Sequence, residues 1–410
     1  MAPTPKSAYH PPANPPLPRT RTRMTPLDRA RQYQAELAAI RRDIHAHPEL
    51  GLEEYRTSDL VAAKLQEWGI EVHRNVGKTG VVGVLRNGNG QASVGLRADM
   101  DALPILEATD LPYASQNPGK MHACGHDGHT TMLLGAAKYL AETRNFNGTV
   151  NFIFQPAEEG LGGALEMLKD KLFERFPCDA VYGMHNRPNL DVGKFSTGPT
   201  ARAAGGAFFD IRITGKGAHG ANPQFGIDPV LVACHLGTAL QSIVSRNVAA
   251  MDTAVLSITR IQSGDAYNVV PQHATIAGTV RAMKREVMEL VETNMRRLVE
   301  SVSAGFGATA ELDFRIIFAP MINNEVEAIA YGDAAASLVG EDNVRRDGPP
   351  GMGSEDFSFM MEQVPGAHIN LGNGSSAALH NHKYDFNDET TPYGVALYAA
   401  IVEKKLPKGA

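Results

Sequence analysis

The segment MHACGHDGHT, Met121 to Thr130, brings three histidines, a cysteine and an aspartate into ten residues. Thiolates and imidazoles are metal-binding groups. In extended backbone the side chains at i and i+2 leave on the same side, so Cys124 and His126 face one point, and Gly125 between them lets the backbone approach closely. His122 shares that face. Asp127 stands either to orient a ligand or to cap the loop, and His129 belongs to the start of the helix that follows. A buried cysteine beside satisfied loop histidines is an equal account of this segment taken alone.

Three more segments offer donors. In FQPAEEG, Glu158 and Glu159 follow the apolar run 149–154, and adjacent carboxylates in a non-helical loop point to opposite sides. One of them can hold a metal while the other faces a water, although a Glu-Glu pair is also a common solvated helix start. His185 directly follows the run 180–184, and His380 and His382 follow the run 367–372 with the i, i+2 spacing that puts both on one side. Asp99 and Asp101 close the run 93–98, where they can orient ligand histidines. The carboxyl ends of strands in an α/β sheet are where ligands bind. Cysteine, histidine and glutamate from four such ends exceed what one tetrahedral ion with an open position takes, which points to two divalent ions sharing a water. The thiolate favours a borderline ion such as zinc, cobalt, nickel or iron over magnesium, and manganese is also accommodated.

These loops need a sheet to hold them. Thr25-Pro26 reads as the cap and first position of a helix running through LDRARQYQAELAAIRRDIHAH, and a second helix over 58–68 stops at Gly69. Apolar runs at 80–86, 93–98, 149–154 and 180–184, separated by helical patterns such as 129–142, predict an α/β fold with a mostly parallel sheet covered on both faces. From Gly205 the pattern changes to period-two strands at 206–215, 253–264, 273–283 and 310–317, with helices near 227–248 and 286–304. That order, β-α-β-β-α-β, is a ferredoxin-like α+β module. Alternation of helix and strand resumes after Pro320, so 205–319 reads as an insertion into a domain made of 25–204 and 320–410. Residues 1–24 form a proline-rich basic tail without the apolar core of a secretory signal, and Met24 is an alternative start.

Composition narrows the function classes. The 410 residues are 43% hydrophobic and 20% charged, with a formal charge of −6 and no basic stripe, so nucleic acid is not an expected partner. No apolar run reaches the length of a membrane span. The three cysteines make no CxxC pair, which argues against a disulfide framework and for a reducing, cytoplasmic setting.

Taken in order, RRDIHAHPELGLEE, LRADMDALPI, MHACGHDGHT, FQPAEEG, GKGAHGANP, NVVP, GSEDF and YDFND resemble the M20 metallopeptidase family, and more narrowly its amidohydrolase branch acting on N-acyl amino acids, hippurate and auxin conjugates. The resemblance covers nearly the whole chain. It implies a dinuclear site in the α/β domain, and an inserted lid domain that makes the contact of a homodimer, with a homotetramer as the alternative. It implies Cys124, His126, Glu159, His185 and His380 as metal ligands, with zinc or manganese foremost, and Glu158 as general base and then acid. His382 stands where related sequences carry proline. His219, otherwise a turn histidine among glycines, would reach across the dimer to the oxyanion. Asn268 and Arg281 would hold the substrate carboxylate, although an arginine at a strand end is ordinarily a surface charge. The expected reaction is hydrolysis of the amide of an N-acyl-L-amino acid such as hippurate. A carboxypeptidase or dipeptidase is the alternative, and Glu158 argues against a metal-dependent binding protein without catalysis.

Overall fold

A computed structural model describes residues 24–409, so the expected tail over 1–24 lies, apart from Met24, outside the described residues. Its central sheet has eight strands in the order Glu71–Val76, Gly80–Asn87, Gly148–Gln155, Ser93–Asp99, Ala180–Arg187, Gly366–Gly372, Phe195–Ser196 and Val344–Arg345. The four strands from Gly148–Gln155 to Gly366–Gly372 run parallel to one another, and each outer member of the four pairs antiparallel with the next strand of the sheet. Ser93–Asp99 is buried along its whole length, as a parallel strand covered on both faces must be.

The covering helices are specified locally. Thr25 accepts from Asp28 N–H at 3.1 Å while the Asp28 carboxylate accepts from Thr25 N–H at 3.3 Å, and Pro26 supplies the preset first turn of Pro26–Ala46. That helix packs with His126–Thr143 and Thr391–Lys405 over one core that includes Leu37, Leu133, Phe152 and Tyr398. His126–Thr143 is buried almost throughout, so its first turn is held rigidly beneath the strand ends.

The second sheet has the order Ala254–Ser263, His273–Ala282, Gly205–Thr214, Thr309–Phe318, every pair antiparallel. With the helices Pro229–Ser242 and Arg285–Gly305 it buries a core of its own around Phe209, Leu236, Ile276 and Val291. This is the β-α-β-β-α-β arrangement expected from the period-two strands. The helix expected over 227–248 is shorter: Asp228 caps its start by accepting from Val230 N–H, and a π turn, Ile243–Asn247, ends it.

Candidate metal centre

The first difference from the sequence reading lies at the opening segment. The helix starts at His126, three residues before its expected start, and Gly125 precedes it with φ +95°. A Cβ on Gly125 would stand 2.4 Å from Asn186 Oδ1 and 2.7 Å from the Tyr384 hydroxyl, so both the conformation and the space require glycine. Cys124 therefore faces the site from a tight turn and His126 from the first turn of a helix, and not from one extended strand.

Each imidazole is oriented by a defined partner. His126 Nδ1 lies 3.1 Å from Asp101 Oδ1; a carboxylate accepts, so Nδ1 donates to it and Nε2 is the nitrogen left for a metal. His126 Nε2 is buried with no hydrogen-bond partner among the described residues. His185 Nδ1 donates to Asn186 O at 2.6 Å, which leaves Nε2 free 3.4 Å from Cys124 Sγ. Asp101 also accepts from Glu159 N–H at 3.0 Å, so one carboxylate positions both His126 and Glu159. Asp99 holds His129 Nδ1 at 2.6 Å and Arg97 at 2.7 Å, while His129 Nε2 accepts from Asn186 N–H at 3.1 Å. His129 is thus committed at both nitrogens.

Donor atoms of Cys124, His126 and His185 lie within 4.8 Å of one another, as do those of Cys124, Glu159 and His380, and those of His126, Glu158 and Glu159. Cys124 belongs to two of these groups. His380 Nε2 is 3.1 Å from Glu159 Oε1, and its N–H donates to Ala123 O at 2.8 Å, which ties it to the loop of Cys124 despite a left-handed φ of +62°. His382 is exposed and belongs to none of the groups. The structure gathers His380 and leaves His382 outside.

Asp127 departs from its expected role. Its carboxylate lies 2.8 Å from His45 Nδ1 and 3.5 Å from Arg41 Nη1, and it touches none of the gathered histidines. The helix explains this, because the residue after His126 is turned by about 100° toward Pro26–Ala46. His122 is fully buried with both ring nitrogens unpartnered and stands in none of the groups. Burial pushes its pKa down to about 4.

Glu158 and Glu159 do not leave on opposite sides as expected: their carboxylates both reach the same site, within 4.8 Å of each other, and differ in the partners they meet there. Ala157 adopts a left-handed φ of +51° just before them. Glu159 turns to Asp101 and His380, whereas Glu158 turns to the GSEDF segment, its Oε1 3.3 Å from Asp356 N. Glu355 and Asp356 are paired with the fully buried Arg97 at 2.9 and 3.3 Å. This buried network was not anticipated. Its one sequence signal is an arginine set among apolar residues in 93–98, where a charge survives only with partners.

The electrostatics favour a cation. Burial, followed by Glu355, Glu159 and Asp356, pushes the Glu158 carboxyl well above the usual range, and burial with Glu159, Glu158 and Asp99 pushes the Cys124 thiol up. Burial opposes the charging of His126, yet Asp99, Asp101 and Glu159 outweigh it and raise its pKa to about 10. The raised proton affinities of Glu158, Cys124 and His126 and the buried, unpartnered His126 Nε2 mark an excess of negative charge that divalent ions would relieve, so the residues present fit such ions.

A cavity of about 380 Å³ opens over Cys124, Glu158, Glu159, His185 and His380. Arg281 does not line the cavity but stands near one of its walls: it lies opposite Gly206 across paired strands, and a Cβ on Gly206 would lie 3.0 Å from both Arg281 Nη1 and Ser354 Oγ of the cavity wall. His219 and Asn268 do not border the cavity in this chain. They adjoin each other on an exposed hairpin, where Ala218–His219 pairs with Val269–Val270 and Asn268 O accepts from Gly220 N–H at 2.7 Å.

Comparison with known proteins gives the same direction. The sequence model of peptidase family M20/M25/M40 matches residues 95–404. Hippurate hydrolase of Campylobacter jejuni is 45% identical over 374 residues, which covers 91% of this chain and 97% of that one. N-acetylcysteine deacetylase of Bacillus subtilis is 37% identical over 371 residues, 90% of this chain and 96% of that one. A crystal structure from Bacillus subtilis, described as a dinuclear metal-binding peptidase of the M20 family, superposes with a TM-score of 0.80 at 34% identity, covering 92% of this chain and 99% of that one.

Proposed function

From the premise that the chain belongs to peptidase family M20/M25/M40, we propose that it is a metal-dependent amidohydrolase that cleaves the amide bond of N-acyl-L-amino acids to a carboxylic acid and a free amino acid. The observation that carries this reading is the gathering of Cys124, His126, Glu159, His185 and His380 around Glu158 at the ends of parallel strands. Two relatives whose names both denote removal of an acyl group from an amino acid support it.

The five gathered residues would hold two divalent ions, zinc or manganese foremost. Ions bound there supply Lewis acidity toward the amide carbonyl and lower the pKa of water. Glu158 takes the proton of the attacking water and delivers it to the leaving nitrogen, and a carboxyl whose proton affinity is raised by burial suits both steps. Asp101 keeps His126 and Glu159 in place during this exchange, and Asp99 holds His129 behind them. Arg281 grips the substrate α-carboxylate beside Ser354.

His219 and Asn268 act in the active site of a second copy of the chain. The unit 205–319 serves as lid and dimer contact, and the exposed Val255 and Ile261 on its edge strand support this. No helix of the described residues is long and apolar enough to cross a membrane, and the unpaired cysteines suit the cytoplasm. The test is direct: purified protein should carry close to two transition-metal ions per chain and hydrolyse N-benzoyl- or N-acetyl-amino acids, and chelation should abolish the hydrolysis. Only trace metal, with hydrolysis indifferent to chelator, would refute the reading.

A further inference from the structure

The cavity has a wall that the proposed chemistry does not use. In the strand Gly366–Gly372, Ala367, Ile369 and Leu371 enter the main core, so His368 and Asn370 occupy the opposite face. Asn370 is in register with His185, which puts both polar residues on the face that carries the metal-binding groups, and both border the cavity. His368 is held there by its main chain: its N–H donates to Asn323 Oδ1 at 2.7 Å, and its carbonyl accepts from Asn323 Nδ2 at 2.9 Å and Thr197 Oγ1 at 3.2 Å. Its register partner is Gly183, where a Cβ would come within 3.4 Å of the imidazole.

The ring so positioned has no partner for Nε2. That atom is buried, and the nearest acidic oxygen, Glu355 Oε2, stands 3.9 Å away, beyond a hydrogen bond. Burial keeps the imidazole uncharged, with its pKa pushed down to about 4. Ser354 Oγ, on the same cavity, is likewise buried and unpartnered. Buried hydrogen-bonding atoms in folded proteins are nearly always satisfied. Two orphans on one cavity wall are therefore complementary to a polar group that enters it.

Their place identifies the part of the substrate concerned. Ser354 Oγ and Arg281 Nη1 each lie 3.0 Å from where a Cβ on Gly206 would stand, so with Arg281 on the α-carboxylate and the amide turned toward Glu158, the amino-acid side chain is the substituent left for the wall of Ser354 and His368. Resting on the amidohydrolase reading above, we propose that His368 and Ser354 form a polar subsite selecting N-acyl amino acids whose side chain carries an uncharged hydrogen-bonding group, such as a hydroxyl or a carboxamide.

The experiment compares isosteric pairs with the acyl group held constant: N-acetyl-threonine against N-acetyl-valine, N-acetyl-asparagine against N-acetyl-leucine, and N-acetyl-glutamine against N-acetyl-methionine. A site built around a hydrogen bond rejects the analogue lacking it, so kcat/KM is expected to favour the polar member by about tenfold or more in at least one pair. In His368→Phe that ratio should fall below about threefold, chiefly through a raised KM for the polar member. Ser354→Ala should lower it independently, which keeps the test valid if the first variant fails to fold. Equal rates within every pair, a preference for the apolar members, or ratios unchanged in both variants would overturn the subsite while leaving the amidohydrolase in place. Failure to hydrolyse any N-acyl amino acid would instead strike the underlying reading.

Discussion

In the proposed mechanism Glu158 and Asp101 divide the work of the centre between chemistry and placement. Glu158→Ala should keep the metal content of the parent and lose turnover by about two to four orders of magnitude, measured as kcat beside elemental analysis. Asp101→Asn should instead weaken metal affinity about 10–100-fold, read by competition with a chelator, because its oxygens orient both His126 and Glu159. The residue types that gather at the site were legible in the sequence, since donor chemistry is local, whereas the convergence of the two adjacent glutamates was not, because it depends on the left-handed turn at Ala157. The choice between His380 and His382 was not legible from spacing, because it turns on a left-handed backbone tied to Ala123, a contact across more than 250 residues. Nor was the partner of Asp127, which depends on how two helices pack.

At the scale of elements, the segment HPELGLEE fastens two functional loops at once. Glu49 O accepts from Ala102 N–H, beside Asp101, and Glu54 accepts from Ala157 N–H at 2.8 Å, beside Glu158, as well as from Thr79 Oγ1. Glu54→Ala should lower kcat at least tenfold with KM within about threefold, since it releases the turn that aims Glu158 without touching substrate, and it should cost about 1–3 kcal/mol of stability by denaturant titration. The helix Pro26–Ala46 is coupled to His126–Thr143 through His45. Burial disfavours its charge, but Asp127 and Glu107 prevail and raise its pKa to about 9. The folded-state value lies above the unfolded one near 6.5, so the pair's contribution is complete below about pH 6.5 and is lost as pH rises toward 9. Thermal unfolding followed from pH 6 to 10 should show that decline in the parent and a flatter profile in His45→Gln. Helices and strands were foreseeable from their periodicity, but boundaries moved where a glycine or proline set the backbone, as at Gly125 and Pro229.

For the molecule as a whole, strand texture changes at Gly205 and alternation resumes after Pro320, and the long strands between them form a sheet of their own. What sequence could not reveal is that Arg281 of one sheet and Ser354 beside the other both approach Gly206, each 3.0 Å from where its Cβ would stand, since that approach joins units whose cores form separately. The distance of His219 from the cavity of its own chain makes a prediction about assembly. A mixture of His219→Ala and Glu158→Ala proteins, each inactive alone, should recover up to about a quarter of parental activity after subunit exchange, because a mixed dimer carries one intact pair. Recovery absent from a mixture shown by mass measurement to contain mixed dimers would assign His219 another task. The sulfur of Cys124, common to both donor groups, carries a different liability. If the ions are held as proposed, oxidation of that one atom by peroxide, through the sulfenic to the sulfinic acid, would remove a donor common to both groups, so metal content and activity should fall in parallel.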